Sequence, residues 1–168
     1  MQVAVQADSV NFSKNSSQTD GHQDDAPKNP SFLQQFAGQW LLQRQIEQQN
    51  GQTFSFTGKA VFSWQEDELL YRESGQVTAP GGASFQAQRS YIWTFPDTQY
   101  VDVLFDDRRF FHRFSEGSPH AEHLCGDDHY IVKYDFNQWP RWEAHWHVAG
   151  PRKDYAMTSR YQPCEIQR

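Results

Sequence analysis

From Gly38 onward apolar and polar residues alternate with a period of two, and turn-forming residues interrupt the alternation about every ten positions. The interruptions are Asn50-Gly51, Gln65 to Glu68, Pro80-Gly81-Gly82, Pro96-Asp97, Asp106-Asp107, Gly117 to Pro119, Gly126-Asp127, Trp139-Pro140 and Gly150-Pro151. Between them the pattern predicts strands near 38–48, 53–64, 69–78, 84–95, 99–105, 109–114, 120–125, 128–136, 141–149 and 153–162. Short turns between so many strands imply an antiparallel up-and-down meander, because parallel pairing needs long crossovers. Closing the meander into one all-β barrel removes both exposed edges; a two-sheet sandwich is the alternative. Ahead of the strands, Ser31 to Phe36 has an N-capping serine and apolar residues three to four apart, which predicts one short helix. Residues 1–30 are rich in Gln, Ser, Asp and Asn with Phe12 as their one ring, too little apolar surface to offset the entropy of ordering. They read as a disordered tail before a domain over 31–168.

Composition sharpens this picture. Hydrophobic residues are 37% of the 168, yet 13 Phe, 7 Tyr and 6 Trp make rings the main filling of the interior. The formal charge of −6 has no basic stripe behind it, so nucleic acid is not expected as a partner. No apolar run approaches the roughly 20 residues that cross a bilayer, and the N-terminus lacks a secretion signal's basic flank and apolar stretch. A cytoplasmic protein without a membrane partner is expected, and its oligomeric state is left open. Cys125 and Cys164 are expected to stay reduced.

Strand parity gives candidate interior groups. Trp40, Leu42, Arg44 and Ile46 share a face opposite a glutamine-rich one, so Arg44 points inward. Phe85, Ala87, Arg89, Tyr91 and Trp93 repeat the pattern, and Tyr71, Glu73 and Gly75 place a carboxylate where it can neutralise an inward arginine. These charges either fasten strands together or line a cavity for a polar or anionic molecule.

The strand near 141–149 has two rich faces, Trp142, Ala144, Trp146 and Val148 against Arg141, Glu143, His145 and His147. Periodicity puts the tryptophans inside; the opposite assignment would set His145 and His147 on the cavity wall, with His112, His123, Cys125 or His129 as further metal ligands. Nothing has the two-pair spacing of a structural zinc site, so no metal and no cofactor is assigned.

Gly38-Gln39-Trp40 resembles the Gly-x-Trp opening of lipocalins and related calycin barrels. The resemblance implies a tryptophan that closes one barrel end and an arginine of the last strand, here Arg160, packed across it. A broader resemblance rests on Gly38-x-Trp40 with Arg44-x-Ile46, Tyr71-x-Glu73-x-Gly75, Tyr91-x-Trp93, Phe110-Phe111-His112, His123-x-Cys125 with Asp128-x-Tyr130, and Gly150-Pro151-Arg152-Lys153-Asp154-Tyr155. Together they resemble an uncharacterised family, domain of unknown function 6314, which supplies no activity to carry over. The chain is thus expected to be a calycin-like barrel. In the Gly-Pro-Arg-Lys-Asp-Tyr run, Arg152 and Lys153 would form a cationic rim with Tyr155 on the wall, or the run would be a structural hairpin.

The expected function is small-molecule binding in the barrel, with Arg44, Glu73, Arg89, Tyr91, His112, Tyr130, His145, Arg152, Lys153 and Tyr155 as the candidate site. The alternatives are an enzyme of isomerase or hydrolase type that pairs a histidine with Glu73 or Asp102, and a structural or interaction module. Gly-x-Ser-x-Gly elbows, phosphate loops and dinucleotide fingerprints are absent from the sequence.

Overall fold

A computed structural model describes residues 35–164. The expected tail and most of the expected helix over Ser31–Phe36 lie outside the described residues; Gln35 and Phe36 form a turn. Ten strands follow: β1 (Gly38–Gln48), β2 (Thr53–Gln65), β3 (Glu68–Thr78), β4 (Ser84–Thr94), β5 (Tyr100–Phe105), β6 (Phe110–Ser115), β7 (His120–Cys125), β8 (Asp128–Asp135), β9 (Trp142–Ala149) and β10 (Asp154–Pro163). They form one antiparallel sheet in the order β6-β5-β4-β3-β2-β1-β10-β9-β8-β7. Because β1 pairs with β10, from Trp40 opposite Pro163 to Gln48 opposite Tyr155, the sheet curls into a nearly closed barrel. The remaining seam lies between β6 and β7, which are consecutive in the chain. Ser115 and Ser118 exchange backbone hydrogen bonds of 3.1 and 3.2 Å at the turn between them, and Phe111 faces His123 across the seam at 5.1 Å between ring centroids. Among the described residues no helix is long and apolar enough to cross a membrane.

The barrel is closely packed at one end and more accessible at the other, which is called its open half below. At the packed end Phe36 is fully buried, with Trp139, Trp93 and Trp142 at 4.9, 5.2 and 5.3 Å between centroids. Trp40 donates its indole N–H to the Phe36 carbonyl at 2.9 Å, and Trp142 stacks on Tyr161 at 3.7 Å. Toward the other end, inward positions on the same strands become accessible: Ile46, Gln48, Tyr91, Tyr130, Trp146, Tyr155 and Met157 are half-buried, and Phe85 and Arg89 are exposed. Phe54, Val77 and Val148 stay buried among them, so water reaches this end of the barrel in part.

Two glycines face each other on β2 and β3, Gly58 opposite Gly75. A Cβ on Gly58 would meet the Ser74 carbonyl and the Gly75 Cα; one on Gly75 would meet the Thr57 carbonyl, the Gly58 Cα and the Phe56 ring. The pair therefore lets two backbones and an aromatic ring share one spot on the barrel wall. Gly58→Ala and Gly75→Ala are each expected to lower stability by about 1–3 kcal/mol through overpacking, read as a fall in the urea midpoint. An unchanged midpoint would show that the wall can spread there.

Candidate functional site

The interior charges begin with Arg44. Parity turns it inward on β1, and Glu73 on β3 meets it with both carboxylate oxygens at 2.7 Å, while Arg44 Nε donates to Ser159 Oγ of β10, also at 2.7 Å. Tyr71 donates to Glu73 Oε2, and its oxygen lies 2.9 Å from the Tyr161 hydroxyl. With its own proton on Glu73, Tyr71 accepts from Tyr161. The Phe56 ring over Gly75 also lies under the guanidinium, 5.2 Å from its carbon to the centroid. Arg44 and Glu73 are only 10% and 5% exposed. Burial pushes the Glu73 carboxyl upward, but Arg44, Tyr71 and Arg89 outweigh it and hold it below the usual carboxylate range. Burial also raises the Tyr71 and Tyr161 phenols, Tyr161 to about 12, so both stay neutral beside a charged pair.

Arg89 stands opposite Glu73 in the β3–β4 ladder, yet Glu73 is already engaged by Arg44. Its hydrogen bond among the described residues is to the Tyr91 hydroxyl, at 3.2 Å, and water reaches it. Tyr91 and Tyr155 are both raised first by burial; Arg89 pulls on each in the opposite sense, and Lys153 also pulls on Tyr155. Lys153 donates to the Tyr130 hydroxyl at 2.9 Å and pairs with Asp128 at 3.0 Å. Asp128 packs so closely on Gly150 that a Cβ there would strike its carboxylate, which accounts for glycine at the start of the Gly-Pro-Arg-Lys-Asp-Tyr run. The barrel's open half thus brings Arg89, Tyr91, Tyr130, Lys153 and Tyr155 together above the Arg44–Glu73 pair.

The other candidate residues stand elsewhere. His145 is on the outer face of β9, paired with Glu143 at 3.0 Å, because Trp142, Ala144, Trp146 and Val148 occupy the interior positions. His147 is also outside, 3.6 Å from Asp154. Arg152 is exposed in the β9–β10 turn, away from the hydrogen bonds that join the group. Arg160 does not pack across Trp40: it is on the outer face, bonded to Glu143 at 3.0 Å. Asp102, considered as an acid-base partner, is on the outer face with Arg113 at 2.5 and 2.8 Å. His112 is buried with its Nε2 2.8 Å from the Tyr134 hydroxyl. Burial first, and His123 after it, push its pKa down to about 3, so it is neutral in the folded barrel. Among the described residues no three His, Cys, Asp or Glu side chains gather as metal ligands do.

Ser159 and Tyr161 were missed from the sequence, although parity in the last strand, where Tyr155, Met157, Ser159 and Tyr161 alternate, could have found them. Phe111 had no such signal. Leu104 pairs with Phe110 and Val103 with His112, leaving Phe111 as an extra residue in a β-bulge that turns its ring into the barrel. A groove of about 460 Å³ lies outside these groups, near Glu116, Lys133, Asp135 and Trp139.

The sequence pattern described as "Family of unknown function (DUF6314)" matches residues 36–163. The chain belongs to DUF6314. Among solved structures, this DUF6314 barrel is similar to the S-type phycobiliprotein lyase CPES from Guillardia theta, with a TM-score of 0.58 and 8% identity, over 81% of this chain and 92% of that one. At that identity the likeness is one of fold. No curated protein matches the chain.

Two outcomes follow from the buried groups. Glu73→Ala strands the Arg44 charge and is expected to cost about 3–5 kcal/mol in chemical denaturation, whereas Arg44→Met combined with Glu73→Leu recovers most of that loss. Equal losses in the single and double variants would refute the stranded-charge account. Because the folded His112 titrates near 3 and the unfolded chain near 6.5, the unfolded chain binds the proton first on acidification. Stability is therefore present above about pH 6.5 and falls toward pH 3, by up to about 1.4 kcal/mol per pH unit. The lowered Glu73 value acts in the same direction. His112→Gln, which keeps a group for Tyr134 without a titrating ring, should flatten that slope in urea titrations across the window.

Proposed function

We propose that the open half of this DUF6314 barrel binds an anionic small molecule and that Arg89 is its anchor. The observation that carries this reading is an inward-facing guanidinium reached by water, whose nearest carboxylate is already held by another arginine. A guanidinium offers a planar fork of donors, and one phenol oxygen at 3.2 Å leaves most of it available to a carboxylate or phosphate. Tyr91 bonds it, Tyr155 feels its charge, and Lys153, paired with Asp128, stands beside Tyr130 and Tyr155.

The enzymatic alternative has less support. Glu73 is locked between Arg44 and Tyr71, and Asp102 and His145 face outward, so the histidine–carboxylate pairs considered from the sequence do not meet in the cavity. The similar structure is by its title a phycobiliprotein lyase; at 8% identity it supports the barrel architecture and leaves the ligand of this chain to be found.

The test compares two fluorescent probes, 8-anilinonaphthalene-1-sulfonate and the uncharged N-phenyl-1-naphthylamine, on protein whose native mass spectrum has first been checked for co-purified ligand. Arg89→Gln is expected to weaken the sulfonate at least about tenfold, as the loss of a charge-assisted hydrogen bond implies, and the neutral probe less than about twofold. Equal weakening of both, or no binding of either, would overturn the anchor.

A further inference from the structure

Three rings from three different strands lie parallel across the barrel. Phe111 of β6 stacks on Tyr91 of β4 with 7° between planes and 5.8 Å between centroids, and on Trp146 of β9 with 6° and 5.4 Å. Phe111 is thus the middle layer of a Tyr91–Phe111–Trp146 stack. Phe111 is buried, with Phe105 and His123 also against it at 4.5 and 5.1 Å, but its backbone has few ladder partners. It is the unpaired residue of the β-bulge, and β6 has a ladder partner in β5 alone, since no ladder joins it to β7 across the seam. The outer two rings are anchored in strands paired on both sides and are half-buried, facing the accessible half of the barrel. Arg89 bonds the hydroxyl of Tyr91, so the cation stands at the edge of the first layer.

We infer that the space between Tyr91 and Trp146 is a slot for a flat aromatic ring and that Phe111 is its displaceable placeholder, so that the ligand class is a planar aromatic acid. This rests on the reading of Arg89 as an anion anchor and adds the part that the charge alone leaves open, the shape of the ligand body. A ring entering the slot exchanges the two stacking faces of Phe111 for its own, and its acid group lies on the Tyr91 side, toward Arg89. An alkyl chain of equal charge gains the anchor but no stacking, and displaces Phe111 at a loss. His123 of β7 packs on Phe111 across the seam at 5.1 Å, so the phenyl ring leaves by pushing that imidazole aside, which breaks no ladder.

The full chain is titrated with 2-naphthoate and with octanoate, an acid of similar length without a ring, and followed by NMR through the indole N–H signal of Trp146, assigned by its loss in Trp146→Phe. Of the six tryptophans, Trp146 is the one in the open half, so its signal separates this slot from the packed end. Phe111→Ala removes the placeholder; if it does not fold, Phe111→Leu removes the stacking and keeps most of the volume. Naphthoate is expected to move the Trp146 signal of the wild type. Removing the phenyl ring should raise the affinity for naphthoate relative to octanoate by about tenfold with alanine, and by less with leucine, the size of effect that stacking supports. Arg89→Gln should weaken both acids. If both acids bind and Arg89→Gln weakens both, while the Trp146 signal stays still or the naphthoate preference is unchanged by the Phe111 variants, the slot is wrong and the anion anchor stands. If neither acid binds the wild type or the Phe111 variants, the anchor fails and the slot fails with it.

Discussion

The ion pair between Arg44 and Glu73 divides the barrel. Taking two charges from water is costly, and in this interior the cost is offset by two hydrogen bonds between the charges themselves, one from Nε to Ser159 and one from the Tyr71 hydroxyl. These partners come from β1, β3 and β10, strands on both sides of the junction where the chain's first and last strands meet. The pair therefore ties the closure of the sheet to a polar floor inside it. Below the floor the rings around Phe36 fill the space; above it the same strands carry inward groups that water reaches.

That division also explains why one arginine holds a carboxylate and its neighbour holds only a phenol. Glu73 lies between Arg44 and Arg89 in position, but a carboxylate with both oxygens engaged at 2.7 Å by one guanidinium and one oxygen shared with a phenol has little left to offer a second. Arg89 is left with the Tyr91 hydroxyl as its hydrogen-bond partner among the described residues, and water reaches the rest of it.

Much of the architecture was legible because a barrel strand has a rigid two-residue period and its turns carry Gly, Pro, Asn and Asp. The expected boundaries agree with the ten strands to within a residue or two, and parity alone sets the direction of Arg44, Glu73, Arg89 and Tyr155. Legibility ended where the period ends. Phe111 points inward because of one extra residue in β6, and a bulge of that kind leaves no mark on composition. His145 was ambiguous because both faces of β9 carry large rings; two indoles exclude more water than two imidazoles, and the tryptophans took the interior. Arg160 entered through likeness to other barrels, and in this chain the neighbouring Glu143 holds it on the outside. The bond between Tyr71 and Tyr161 depends on which strands become neighbours when the sheet closes, which no local pattern encodes.

The pairing of β1 with β10 has a consequence for how the molecule is made. Trp40 finds its partner at Pro163, nearly the whole domain away, while each of the other ladders joins strands adjacent in sequence. During synthesis, hairpins such as β2–β3 have their partners as soon as they emerge, but β1 keeps one bare edge until the end of the domain has left the ribosome. Arg44 meanwhile lacks Ser159, and the packed end lacks the Tyr161 ring that lies on Trp142. Closure is thus a late, single event in which the floor and the packed end are completed together, and a chain cut short before β10 would expose an aromatic interior to whatever strand comes near.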